Sequence, residues 1–160
     1  ELKDRVLQEL SQARRLAGEP ETPFAYATDF LLAADKAFSL VQKLGNIHSD
    51  LPVTFWLTPA ETLELEAGDL FDKALLLAGL LKALGGVPRV RVLELEKNRI
   101  HPVVVFAFEE RDYLLDASQP ECGLTAYVGA LEELLQRFSF DGSKCLKSAY
   151  EFSDLDYQEF

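Results

Sequence analysis

A chain of 160 residues is the length of one domain and can bury about 68–70% of the surface its unfolded form exposes, so no disulfide or metal staple is needed to close a core. Hydrophobic residues at 48% exclude disorder, and 27 Asp and Glu against 16 Lys and Arg give a net charge of −11 that excludes nucleic acid and anionic membrane surface as partners. No apolar run nears the roughly 18 residues of a spanning helix.

Residues 2–17 read as an amphipathic helix, with Leu2, Val6, Leu7, Leu10, Ala13 and Leu16 at helical spacing, closed by Gly18, Pro20 and Pro23. A second helix is expected over 25–44, with Phe30, Leu31, Ala34, Phe38, Val41 and Leu44 inward and Gly45-Asn46 as its stop. Together residues 1–46 form a helical part and 47–160 the core of a single domain. His48 falls in the following loop and is given no role, and 51–56 reads as extended. Thr58, Pro59 and Glu61 spell a capped helix start, in a short helix that Gly68 interrupts.

Residues 69–84 are the most informative stretch. Asp69 is placed to cap a helix, with Asp72 three residues on, and capping accounts for both carboxylates without a metal. The helix they open is apolar on nearly every face, interrupted by Lys73 and Lys82 and ended by Gly85, Gly86 and Pro88, so it reads as the buried central helix. Strands follow at 88–95, 103–108 and 111–116, joined by turns at 96–99 and 109–110, so the sheet is antiparallel. A loop over 119–123, a helix over 127–138 and a last strand over 146–152 with an aromatic tail complete an α+β architecture of helices on an antiparallel sheet.

A hairpin centred on Glu109-Glu110 puts Val103 opposite Asp116, and His101, two residues away, on the same face as Asp116. Their Cβ atoms are then roughly 7–8 Å apart, within reach of an imidazole–carboxylate hydrogen bond. Such a pair fixes the tautomer of the imidazole and makes an oriented general base. Its natural complement is a cysteine at a helix N-terminus, where the dipole favours thiolate. Here the helix head is Gly68-Asp69-Leu70-Phe71-Asp72, and Leu70 stands where sulfur is needed.

The run 56–116, a little over a third of the chain, resembles the core of the transglutaminase-like superfamily, whose fold is papain-like. The lead-in is Pro59, Glu61, Thr62, Leu63; the helix head is Gly68-Asp69; the body is Leu76-Leu77 through Leu84-Gly85. His101 matches the family's His, and Leu115-Asp116-Ala117-Ser118 resembles the segment carrying its Asp. The resemblance implies a papain-like fold with a Cys-His-Asp triad, from which this sequence departs twice. Leu70 replaces the Cys, and Pro102-Val103 follows the His where Ala-Trp is usual. Leu can form no acyl-enzyme.

The expectation is a catalytically inactive domain that binds a peptide, a protein or a neighbouring domain through a groove above the buried helix, with Leu70 as its apolar floor. His101 and Asp116 are a vestigial dyad or a structural pair. The alternative is a thiol hydrolase or acyltransferase with Cys122 as a displaced nucleophile; Ser118 would need an oxyanion hole that the sequence does not locate. Cys122 and Cys145 read as free thiols of a reducing compartment, the cytoplasm, with one disulfide as the other option. No cofactor or metal is expected. The sequence contains no Met, so the expectation is a chain that has been processed, trimmed or excised from something longer.

Overall fold

The computed structural model describes residues 2–20, 22–47, 56–119 and 121–160; His48 and residues 51–55 of the expected extended segment lie outside them. Helices α1 (Leu2–Leu16) and α2 (Tyr26–Gln42) come first, then strand β1 (Gly45–Asn46), helix α3 (Pro59–Glu64), strand β2 (Ala67–Gly68) and helix α4 (Leu70–Ala83). Strands β3 (Arg89–Leu95), β4 (Arg99–Phe108), β5 (Arg111–Leu115) and β6 (Val128–Gly129) follow, then helix α5 (Leu131–Arg137) and strands β7 (Ser139–Phe140), β8 (Ser143–Phe152) and β9 (Tyr157–Glu159). The main sheet runs β6-β5-β4-β3-β8-β7, with β9 added to β8, and its pairs are antiparallel.

Each face of the sheet buries its own apolar layer. Val90, Val104, Phe106 and Leu115 meet α2 and α4 on one side, where α1 seals the outside with Val6 and Leu10. Leu93, Val103, Val105 and Leu114 meet Leu134, Leu135 and Phe138 on the other. The continuous apolar run of β4 has this cause: alternate side chains serve two cores.

Several expectations are corrected. Gly45-Asn46 does more than stop α2, because it pairs in parallel with Ala67 and Gly68. Helix α3 closes at Leu65, before Gly68. Gly68 is needed for a different reason: a Cβ there would come within 2.9 Å of Asp72 Cβ and 3.0 Å of Thr62 Cγ2. Helix α4 is not buried all round, since Gly79, Lys82 and Ala83 are exposed, whereas Lys73, read as an interruption, is inside. The helix expected over 127–138 is only Leu131–Arg137, because Tyr127 and Val128 are drawn into the sheet beside β5. A ladder hydrogen bond outweighs helix propensity where a strand edge is available. Among the described residues, no helix is long and apolar enough to cross a membrane.

Candidate functional site

Helix α4 begins as its sequence demands. Asp69 accepts from the Asp72 N–H at 2.8 Å, and Asp72 accepts from the Asp69 N–H at 3.0 Å, a reciprocal capping box. Asp72 also accepts the Leu57 N–H at 2.8 Å, which ties the incoming chain to the helix head. Burial and the Asp72 charge push the Asp69 carboxyl up, against the backbone hydrogen bonds it accepts. Leu70 is the first helical residue and is half-buried.

One turn on, Lys73 is 1% exposed. Its ammonium donates to the Leu44 carbonyl at 2.7 Å and to Asn46 Oδ1 at 2.6 Å, pinning β1 against α4. Burial holds its pKa below the ordinary lysine range, and the charge of Asp116 opposes that shift.

The β4–β5 hairpin sets the other half of the site. Phe108 pairs with Arg111, so Glu109-Glu110 is a two-residue turn, and both residues have positive φ (48° and 60°). That register runs back to Val104 opposite Leu115 and places Val103 opposite Asp116, as expected. His101 Nε2 lies 2.7 Å from Asp116 Oδ2, with the two side chains 1% and 2% exposed. Asp116 Oδ1 accepts from Ser118 N–H at 2.9 Å and Ser118 Oγ at 2.5 Å, an Asx turn, and Oδ2 also accepts from Gln119 Nε2 at 2.7 Å. Burial works against the Asp116 charge, yet the hydrogen bonds and charge of His101, then Ser118 and Gln119, hold its carboxyl below the usual range. With Asp116 ionised, His101 Nε2 is the donor of this hydrogen bond.

Sequence reasoning missed most of the groups that hold this pair. Gln119 Nε2 also donates to the Ser139 carbonyl at 3.1 Å, and Gln42 Nε2 donates to the carbonyls of Gln119 and Cys122 at 2.7 and 2.8 Å. Phe140 lies 4.1 Å from the His101 ring centre and Phe138 5.7 Å. His101 pairs with Leu93 and shares its face, so the pair sits under α5 and β7 rather than on the face that covers the body of α4. The Asp-x-Ser spacing was a usable signal for Ser118. Nothing in the sequence pointed to Gln42, 77 residues from Gln119.

Cys122 lies in the loop that follows Asp116 and meets the same Gln119. Its thiol donates to Gln119 Oε1 at 3.6 Å, and burial, with the charges of Asp116 and Glu121, pushes its pKa up. The Ser118 hydroxyl is engaged by Asp116. Cys122 and Cys145 are both free thiols.

A buried helix with a capped, half-buried head, an antiparallel sheet of this order and a His-Asp pair on its central hairpin define an α+β domain of papain-like fold. The solved structures agree. The chain is similar to Legionella pneumophila LapG, at TM-score 0.64 and 16% identity over 99% of this chain and 76% of that one. It is also similar to LapG in its EGTA-treated form (0.62, 16%, 99% and 74%) and its calcium-bound form (0.60, 15%, 98% and 87%). No protein-family model and no curated protein matches the chain. At these identities the likeness is one of fold.

Proposed function

We propose that this chain is a catalytically inactive domain of the transglutaminase-like kind, a binding or scaffolding module in which an acyl-transfer site has become a structural one. The observation that carries the reading is Leu70 at the head of α4, where the chemistry of the fold requires a thiolate. The burial of the dyad supports it. A general base must reach its substrate, and His101 is enclosed by Phe138 and Phe140. What the pair does instead is fasten the 116–119 loop. Through Asp116, Ser118, Gln119 and Gln42 it links β4, the loop, β7 and α2. The partner in this reading is a peptide or a protein.

The test is turnover. The purified chain, offered amide and ester substrates, is expected to show no hydrolysis above that of a His101→Ala variant. Hydrolysis that His101→Ala abolishes would overturn the reading.

A further inference from the structure

Five aromatic rings form a continuous strip from the head of α4 to the edge of the sheet. Trp56 stacks on Phe71 (5.6 Å, 11°) and on Phe152 (6.3 Å, 9°). Phe152 neighbours Tyr150 at 6.3 Å, and Tyr150 neighbours Tyr157 at 5.8 Å. Trp56 is 52% exposed and Tyr157 61%, whereas Phe71, Tyr150 and Phe152 are half-buried and Phe152 also packs against the core. At Phe152 it runs into an apolar cleft of about 250 Å³ lined by Leu75, Ala78, Pro88 and Val90. Exposed ring surface of this extent, continuous with a cleft, marks an interaction site.

Two further observations name the occupant. The segments that supply the rings, 56–72 and 148–160, hold nine Asp and Glu and no Lys or Arg; Glu61, Asp69 and Asp72 serve helix caps, Glu151 pairs with Arg89 and Arg91 and Asp154 with Lys82, while Glu64, Glu66, Asp156 and Glu159 are exposed. Glu159 pairs with Tyr150 across the β8–β9 ladder and so projects on the ring side, where one of its oxygens accepts from the Tyr157 hydroxyl at 2.9 Å and the side chain stays exposed. Lys82, beside the cleft, is already paired with Asp154. Aromatic faces and carboxylates together attract Arg and Lys. The second observation concerns shape. Strand β9 pairs only with β8 among the described residues, leaving an open sheet edge beside the strip that suits an extended segment. A second copy of this chain would bring the same net charge of −11 and be repelled.

We infer that this strip is the docking surface for an extended, Arg- or Lys-bearing peptide segment of a partner protein, with cations over Trp56 and Tyr150 beside Glu159. The inference names the surface and the partner chemistry for the binding role proposed above and rests on that role. It does not use His101 or Leu70.

Trp56 is the sole tryptophan and so reports directly on the strip. A fluorescein-labelled Arg-Pro repeat peptide is titrated against the whole chain, following peptide anisotropy and Trp56 emission, with a Glu-Pro repeat as control. Saturable binding of the Arg-Pro peptide alone is expected, with a change in Trp56 emission. Glu159→Lys, on an exposed strand, should keep the fold and weaken binding roughly tenfold. Trp56→Ala should abolish it with the far-UV spectrum unchanged. Equal binding of both peptides, no binding, or no effect of Glu159→Lys overturns the inference. Self-association of the chain that Trp56→Ala removes also overturns it, by assigning the strip to a second copy. His101→Ala should bind as the parent does. Loss of peptide binding with no turnover therefore defeats only this inference, whereas turnover with binding intact defeats only the proposal of inactivity.

Discussion

Replacing Asp116 by Ala tests whether the buried pair holds the structure. The carboxylate receives four hydrogen bonds, from His101 Nε2, Ser118 N–H, Ser118 Oγ and Gln119 Nε2. Ser118 and Gln119 are half-buried and can turn to water, but His101, 1% exposed, cannot. Removing one partner of a buried pair costs about 3–5 kcal/mol when the other is left uncompensated. Because the group left behind is a single ring N–H rather than a permanent ion, we expect the low end, about 3 kcal/mol. With a urea m-value of about 2 kcal/mol/M, the midpoint should fall by about 1.5 M at unchanged slope. A double-mutant cycle with His101→Phe, which keeps a ring against Phe140, should return about 1–2 kcal/mol of coupling between the two sites. A loss below about 1 kcal/mol for Asp116→Ala, with the native slope retained, would refute a structural role for the pair.

The same carboxylate predicts a pH dependence. Its folded pKa lies below its unfolded one, so its contribution is complete above the unfolded value of about 3.9 and is lost as pH falls through the lower folded value. The stability gap between parent and Asp116→Asn should therefore be constant near neutrality and close in acid; a gap that opens in acid would contradict the assignment. Leu70→Cys should place a thiol at the dipole of α4, with a pKa below about 8.5 by alkylation against pH. His101→Ala should leave that value unchanged, because the imidazole is enclosed beneath Phe138 and Phe140; a value that rises in His101→Ala would show that the helix head and the imidazole still cooperate and would count against the structural role. Native Cys122, its pKa raised by burial and nearby carboxylates, should alkylate more slowly at pH 7 than a free thiol; faster reaction would revive it as a nucleophile. Asp69→Ala should cost about 1 kcal/mol in urea denaturation by removing the cap of α4, and no measurable loss would mean that packing alone fixes the helix head.

Local chemistry made the helix starts legible. Thr58-Pro59-x-Glu61 and Asp69-x-x-Asp72 each satisfy orphan N–H groups within four residues, so both capping boxes could be read before any fold was known. The His101–Asp116 contact was legible for a related reason. A two-residue turn fixes hairpin register, and register fixes which side chains share a face. What remained hidden depends on segments distant in sequence. Lys73 looks like a solvent-facing break in an apolar helix, yet Leu44 and Asn46, 29 and 27 residues away, supply the acceptors that let it be buried. Tyr127 and Val128 have helical neighbours but answer to the edge of β5. Trp56, Phe71 and Phe152 carry no shared pattern in the chain and become one surface only when β8 is laid beside the head of α4. The sequence by itself determined the caps, the hairpin register and the absence of a thiol at residue 70, because each is settled within a few residues. Only the tertiary structure decided that the dyad is enclosed beneath Phe138 and Phe140 and that Trp56 and Tyr157 stay exposed, because burial is a property of what packs across the chain.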